Sequence, residues 1–304
     1  MLRFLSSRIG YACISLLLLV LTVFLLTRLT GNPAQLMLEP GASAEDIAAL
    51  TARLGLDRPL PWQFWEFLSQ TLRGDFGVSL YQGTPVIDLY LDRLPNSLLL
   101  AGLAFAWSLL LGLACGILAA LYPNTRLDQA LRMLALGGVA IPPFWLGMLL
   151  VMLFTVHLNW LPSSGSGSAA QLVMPVLTLG WYFSAAYMRL VRSSMLEVLS
   201  SDYVRLARLK GLSPWSVVIR HGFRNAVIPV LTLAAINLVS MVNSAVVVET
   251  LFAWPGVGRL LYDGITFRDF PVIQTTVLLS GIMIIVINLL TDIAAALIDP
   301  RIRL

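Results

Sequence analysis

Six runs of apolar residues constrain the fold of this chain more than any other feature of its sequence. The runs cover residues 9–29, 97–121, 133–157, 172–192, 227–249 and 272–297. A helix of about 20 residues is long enough to cross the hydrocarbon core of a membrane, which is about 30 Å thick. Only 12% of the residues are charged, about half the share in a typical soluble domain. We therefore predict an all-α integral membrane protein with six transmembrane helices.

The orientation of the spans is predicted from the cations near their ends, because lysine and arginine favour the cytoplasmic side. Thirteen of the 20 lysine and arginine residues fall on the side that also holds both termini. We therefore expect the N- and C-termini in the cytoplasm. The first apolar run superficially suggests a signal peptide, but it is longer than the usual core of one and no clear cleavage site follows it. We interpret it as a retained first span.

The spans divide the chain into four predicted parts. These are an N-terminal transmembrane helix at 1–30, a large extracytoplasmic connection with short helices at 31–96, a five-helix core at 97–297 and a cytoplasmic tail at 298–304. In the outer connection, Ser43 and Asp46 have the spacing of a helix cap for residues 44–54. Residues 60–68 form an aromatic amphipathic segment, and residues 74–77 form a turn. We expect this connection to pack on the spans as an outer platform.

The longest polar and basic interval in the second half of the chain lies at residues 201–225, between the fourth and fifth spans. Gly211 follows Lys210, as is typical of a helix C-terminus, because glycine takes a positive φ and the cation complements the helix dipole. Ser213 can cap a second helix, and Pro214 at its first position has no N–H to satisfy. We expect two short helices with a break between them. The pair is either a solvated loop or a docking surface for a cytoplasmic partner.

The sequence lacks the motifs of nucleotide, metal and nucleophile chemistry. Its only lysine, Lys210, precedes Gly211, so the Gly-Lys-Ser/Thr of a phosphate-binding loop does not occur. Two cysteines and two histidines are too few and too scattered for a metal site or a disulfide framework. No serine or cysteine has a base beside it in a recognisable motif. We predict no catalytic residues, no metal, no cofactor held by this chain and no binding of nucleic acid.

Polar side chains inside the spans are candidates for a translocation path, because each is costly to place in lipid. Asn288 and Asp292 stand four residues apart and share one helical face. Hydrogen bonding between helices is the alternative role for the asparagines. Glu249 and Asp292 can also form salt bridges or simply end their spans. The candidate path residues are Asn237, Asn243, Ser244, Glu249 and Asn288.

The predicted outer connection at residues 251–264 combines an aromatic residue, a turn and a short amphipathic helix. Trp254 suits the membrane interface, and Pro255 with Gly256 makes the turn. This segment is either an interfacial anchor or an outer gate that contacts a partner, and the spacing favours neither. The candidate contact residues are Trp254, Pro255, Gly256 and Arg259.

The basic interval resembles the cytoplasmic coupling loop of ABC importer membrane subunits. The general motif is Glu-Ala-Ala, three residues, Gly, nine residues, then Ile-x-Leu-Pro. Ala207 and Gly211 match it at the correct spacing, but Arg205 stands in place of the glutamate and the Ile-x-Leu-Pro end is missing. Residues 202–213 and 220–229 instead fit the peptide/nickel branch, with Asp-Tyr-Val-Arg-x-Ala-Arg-x-Lys-Gly-Leu-Ser and Arg-His-x-x-Arg-Asn-Ala-x-Ile-Pro.

The resemblance to this branch extends over nearly the whole chain. Further matching segments lie at 31–34, 54–59, 74–79, 93–95, 144–147, 254–259, 268–274 and 299–303. Several independent matches in one order are a strong signal, whereas a single one would not be. The chain is therefore identified as a member of the dipeptide, oligopeptide and nickel branch of ABC importer permeases.

The resemblance implies a permease subunit in the cytoplasmic membrane of a bacterium or archaeon, paired with a homologous second permease subunit and surrounded by lipid. Two cytoplasmic ATPase subunits would bind ATP and Mg, and an extracytoplasmic binding protein would deliver the solute. The small Ala207 would permit close approach to a groove on the ATPase. The implied ATPase-coupling residues, within a loop at 193–226, are Arg205, Leu206, Ala207, Arg208, Gly211, Leu212 and Ser213.

The transported solute is not fixed by these residues. We expect di- or oligopeptides, with nickel, a metal chelate or glutathione as the alternative within the same branch. The competing class is a secondary carrier or channel, which would transport without ATP. Such a carrier would need an intramembrane charge relay, and no candidate for one stands out in the spans.

Overall fold

The computed structural model describes residues 2–29, 38, 43–53 and 55–298. Within these residues the chain is helical and has no strand, only an isolated bridge between Val78 and Pro85. The predicted motifs at 31–34 and 299–303, and Leu54, lie outside the described residues. The helices are α1 Leu2–Leu29, α2 Ala44–Arg53, α3 Leu60–Leu72, α4 Val86–Leu121, α5 Arg126–Ala140, α6 Pro143–His157, α7 Ala169–Leu199, α8 Asp202–Leu209, α9 Pro214–Leu251, α10 Val257–Thr266 and α11 Phe270–Ile298. The all-α fold class is confirmed.

Five of the predicted spans are single helices that are long and apolar enough to cross a membrane, namely α1, α4, α7, α9 and α11. The expectation of one straight helix at 133–157 is wrong, because α5 and α6 meet at an angle of 110°. Ile141 has extended backbone angles of φ −94° and ψ 119°, and two prolines follow it. A residue before proline is pushed out of the helical region. The sixth span therefore exists only if α5 and α6 are counted together.

Two helices are longer than the sequence indicated. The helix predicted at 97–121 begins at Val86, inside the interval assigned to the outer connection, and contains Pro95. The second helix of the predicted short pair is not short either. It is the first part of α9, which continues from Pro214 through a π-helical turn at Val217–Phe223 to Leu251.

The chain forms two compact units, of which the first comprises Met1–Asn96 and Pro255–Leu289. In this unit α1 packs on α3, with the Phe24 ring 5.3 Å from that of Phe64 and 6.0 Å from that of Phe67. Leu19 of α1 lies against Gly281 of α11, where a Cβ would come within 2.5 Å of the leucine side chain. A separate apolar cluster holds the start of α4, α10 and α11 together, and its buried members are Val86, Tyr90, Val257, Leu260 and Val272.

The second unit comprises Ser97–Trp254 and Leu290–Leu304, and α7 is its central helix. Glycines on the neighbouring helix bring the backbones close together. A Cβ on Gly112 of α4 would lie 2.5 Å from the Cβ of Tyr187 on α7. A Cβ on Gly116 of α4 would lie 2.6 Å from the Cβ of Val191, also on α7. Helices in lipid associate through such close packing of small residues, because lipid supplies no hydrophobic force between them.

Candidate functional site

The turn predicted between residues 209 and 214 is present. Helix α8 ends at Leu209, and the N–H of the C-cap residue Lys210 donates to the carbonyl of Leu206 at 3.0 Å. The next residue, Gly211, has a φ of +74°. The Ser213 hydroxyl accepts a hydrogen bond from the N–H of Ser216 at 3.3 Å, with Pro214 at the first helical position. The predicted cap and the predicted glycine turn are therefore confirmed.

The inner face of α8 packs on the chain itself. Val204 and Ala207 are buried against Val217, with Val198 and Leu199 of α7 beside them. Ala207 is only 6% exposed, so its small side chain does not face a partner groove as expected. It lets the backbone of α8 approach the ends of α7 and α9 instead. The role of Ala207 in coupling stays a prediction.

Polar contacts join α8 to α9. The Asn225 side chain donates from Nδ2 to the Tyr203 hydroxyl at 3.0 Å and to the His221 carbonyl at 3.2 Å. The Tyr203 hydroxyl in turn donates to the same carbonyl at 3.4 Å. Sequence reasoning identified these residues only as parts of matching segments. The structure shows that they connect the two segments.

The outer face of this helix pair, which we call the coupling surface, has an apolar centre and a cationic rim. The exposed apolar residues include Leu209 and Trp215, with 79% and 70% of their surface accessible. The full set is Leu206, Leu209, Leu212, Trp215, Arg205, Arg208, Lys210, Arg220 and Arg224, all of which are exposed. The predicted residues Arg205, Leu206, Arg208 and Leu212 therefore lie where a partner protein can reach them, and Gly211 and Ser213 shape the turn between them.

A buried ion pair links α5 to the end of α7 that leads into α8. The Asp128 carboxylate is fully buried and accepts two hydrogen bonds of 2.8 Å from Nε and Nη2 of Arg192. The N–H of Asn124 donates to it at 3.0 Å, and Nε of Arg132 lies 3.4 Å away. The Thr125 hydroxyl accepts from the Asp128 N–H and caps the helix. Sequence reasoning missed this cluster, although a lone acid among predicted cytoplasmic arginines was a visible signal.

A second buried carboxylate organises the first unit. Asp269 is 2% exposed and accepts hydrogen bonds from the Ser79 hydroxyl at 2.6 Å and from the N–H groups of Tyr81 at 3.2 Å and Val272 at 3.4 Å. The Tyr81 ring stacks on that of Phe267 at 4.2 Å. Two segments that were matched separately in the sequence, 74–79 and 268–274, are thus in direct contact. Both were predicted on the outer side of the membrane, and their contact is consistent with that placement.

The candidate path residues have different environments. Glu249 is buried and accepts a 2.6 Å hydrogen bond from the Ser97 hydroxyl. Asn237 and Ser244 are half-buried, whereas Asn243 and Asn288 are exposed on their helices. Their role in a path stays a prediction.

Trp254 is 3% exposed and belongs to the main apolar cluster of the second unit. It presents no ring to the membrane interface or to a partner, so the anchor interpretation is wrong for this residue. Gly256 is buried as well, whereas Pro255 and Arg259 are half-buried. The Arg259 guanidinium lies 3.9 Å from the Asp263 carboxylate. The outer-gate interpretation stays a prediction.

The described helices share their fold with chains of solved ABC transporters. The MetNI methionine ABC transporter in an inward-facing conformation aligns with 71% of this chain and 98% of its own, with a TM-score of 0.58 and 18% identity. An amino acid ABC transporter crystallised with histidines aligns with 69% of this chain and 94% of its own, with a TM-score of 0.54 and 15% identity. At this level of identity, the two alignments establish the fold alone.

Sequence comparison identifies the family. The chain belongs to the binding-protein-dependent transport system inner membrane components, whose model matches residues 112–304, while the model of the family's N-terminal region matches residues 1–101. It is the permease subunit of an ABC importer. Among curated relatives, the glutathione transport system permease protein GsiC of Escherichia coli strain K12 is 41% identical over 304 residues, covering 100% of this chain and 99% of that protein. The protein of the same name from Salmonella typhi is 42% identical over the same coverage.

Proposed function

We propose that this subunit imports short peptides, glutathione included, and that separate ATPase subunits drive it by docking on the coupling surface. The observation that supports the solute is the 41% identity to a glutathione transport permease along the full length of both proteins. Glutathione is itself a short peptide. The proposal therefore joins the expected solute class with glutathione, one of the expected alternatives, and leaves out nickel and metal chelates.

The way α8 is held against α7 and α9 supports the proposal that docked ATPase subunits drive transport. Its inner face packs on the ends of α7 and α9, and Asn225 and Tyr203 add hydrogen bonds between α8 and α9. Helix α9 then runs without a break from Pro214 to Leu251. A displacement imposed on the coupling surface therefore moves α9 as far as Glu249, at the other end of the helix. ATP binding and hydrolysis elsewhere would be converted in this way into movement of the span.

The remaining partners follow from the family. Its description as binding-protein-dependent supports a soluble extracytoplasmic protein that delivers the solute to the outer face. A second, homologous permease subunit would complete the path. The basic coupling surface supports cytoplasmic termini, because lysine and arginine concentrate on the cytoplasmic side. The ATP and Mg would be bound by the ATPase subunits and not by this chain.

The test is uptake by the complete transporter in proteoliposomes, with the second permease subunit, the ATPase subunits and the binding protein present. We expect labelled glutathione or a labelled dipeptide to enter the vesicles. This uptake should require ATP in the vesicle lumen, which takes the place of the cytoplasm. Uptake that persists without ATP would show a secondary carrier. Uptake of nickel or a nickel chelate, with neither glutathione nor a dipeptide competing, would contradict the proposed solute.

A further inference from the structure

The coupling surface carries a net positive charge, and its cations form no ion pairs within the described part of the chain. Residues 201–225 contain five cations and a single acid, Asp202, which gives this short interval a formal charge equal to the +4 of all 304 residues. All five cations are exposed. In the described part of the chain none of them forms an ion pair, whereas Arg132, Arg192 and Arg259 do.

The arrangement has the composition of a protein interface. Leu206 and Leu209 are three residues apart on α8 and share a face, with 52% and 79% of their surfaces exposed. Trp215 and Leu212 extend the apolar centre beyond the turn. Protein interfaces combine an apolar centre, often with an aromatic residue, and a polar rim in which arginine is enriched. Four of the five cations here are arginines, whose planar guanidinium pairs with a carboxylate through two hydrogen bonds.

The geometry points to an acidic partner. We propose that the groove of the ATPase subunit receiving this surface is lined with carboxylates, and that Arg205 selects for them. This inference rests on the proposed function, because it takes the ATPase as the occupant. Closing an uncharged or basic groove over Arg205 and Arg208 would leave desolvated cations without partners, which is strongly unfavourable. The general motif of ABC importers places a glutamate at the position of Arg205. The partner of this chain must therefore supply a negative charge at that point, where the partner of a glutamate would supply a positive one.

An anionic lipid surface is the other occupant that this charge would attract. The length of α9 argues against it. Trp215 precedes residue 227, where the predicted span begins, by at most about 18 Å of helix at about 1.5 Å per residue, since the π-helical turn at Val217–Phe223 rises less. Amphipathic helices that bind a membrane lie with their apolar face about 5–10 Å inside the headgroup boundary. The apolar centre of the coupling surface is therefore too far from the span to be buried in lipid.

The experiment is a charge series at Arg205 in the full-length chain, assembled with its second permease subunit in nanodiscs of zwitterionic lipid and, in parallel, in nanodiscs that also contain anionic lipid. The variants are Arg205→Lys, Arg205→Gln and Arg205→Glu, and the probe is the purified ATPase subunit pair. Arg126→Glu is the matched control, because Arg126 is an exposed, predicted cytoplasmic cation outside the coupling surface. The dissociation constant of the ATPase is measured at low and at high salt.

We expect the lysine variant to bind about threefold more weakly than the native chain, because it keeps the charge but loses the second hydrogen bond of the guanidinium. The glutamine variant should bind several-fold more weakly, and the glutamate variant at least about tenfold more weakly again, because like charges then meet in the groove. High salt should weaken the native complex more than the glutamine variant, because salt screens the charges. The control should bind like the native chain. Crosslinking from position 205 should identify an acidic residue of the ATPase. Changing that residue to lysine should restore binding of the glutamate variant.

Equal binding by the glutamine and glutamate variants, without salt dependence, would overturn the acidic groove and leave an apolar contact. Binding that depends on anionic lipid in the nanodisc and not on the charge at position 205 would assign the surface to lipid. If the native chain binds no ATPase under any condition, the proposed function itself fails. These three outcomes are distinguishable from one another.

Discussion

The buried pair between Asp128 and Arg192 should be among the most sensitive positions in the second unit. The Asp128 side chain has no exposed surface and accepts two charge-assisted hydrogen bonds of 2.8 Å from Arg192. Replacing Arg192 with methionine keeps much of the packing volume but leaves the carboxylate buried without its main partner. Breaking a buried pair in this way costs about 3–5 kcal/mol. We expect a value near the lower end, about 3 kcal/mol, because Arg132 remains 3.4 Å away.

Two further variants test the reason for that loss. Arg192→Lys keeps the charge but not the two parallel hydrogen bonds, and should cost about 1–2 kcal/mol. In the double variant Asp128→Asn, Arg192→Met, no buried charge is left, so the double variant should be more stable than Arg192→Met alone. The departure from additivity should be about 1–3 kcal/mol.

The assay is the free energy of unfolding in mixed detergent and SDS micelles, followed by tryptophan fluorescence for the native chain, the three variants and the single variant Asp128→Asn, which completes the double-mutant cycle. Arg126→Gln, at the exposed start of the same helix, is the control and should change the free energy of unfolding by less than about 0.5 kcal/mol. Native stability in Arg192→Met would refute the reasoning. Additive costs in the double variant would do the same, because they would mean that the two side chains act independently.

Three other predictions concern packing. Ala207→Glu places a carboxylate in the cluster under α8, and we expect normal membrane insertion but no solute-stimulated ATP hydrolysis; normal stimulation would contradict the position assigned to α8. Gly116→Leu adds a side chain where even a Cβ would lie 2.6 Å from Val191 of α7, and should cost about 1–3 kcal/mol or more. The loss should appear as a smaller monodisperse fraction in size-exclusion chromatography. The control Gly102→Leu, which has nothing within 4 Å of an added Cβ, should behave as native. Ser79→Ala removes the 2.6 Å hydrogen bond to Asp269 and should cost about 1–3 kcal/mol in the same unfolding assay, so an unchanged value would show that the bond does not stabilise the unit.

The features that could be predicted from the sequence are those set by local chemistry. The turn at Gly211 and the cap at Ser213 were correct, because glycine conformation and capping depend on a few neighbouring residues. The break after Ile141 was equally local, since two prolines follow it, but the apolar run at 133–157 concealed it. Hydropathy reports the length of an apolar run and not the direction of its axis.

The remaining features of the site depend on tertiary contacts. Asp128 and Arg192 are far apart in the sequence, and no spacing rule joins them. The inward direction of Ala207 is determined by which face of α8 meets Val217, and the matching segments do not specify that face. The contact of Asp269 with Ser79 joins two segments that could be matched individually but not paired. Resemblance to a family thus predicts where the coupling loop lies, and the structure shows which of its residues are exposed.

The unbroken course of α9 has a consequence for how its sequence can change. An α-helix turns by about 100° per residue, so the direction of Trp215 is tied to the direction of every side chain up to Leu251. Adding or deleting one residue within α9 would rotate the coupling surface by more than a quarter turn relative to the span. Adding seven residues, close to two full turns, would largely restore its direction. The length of this helix is therefore constrained by the direction of its side chains, and an inserted residue would keep that direction only where a turn widens around it, as in the π-helical turn at Val217–Phe223.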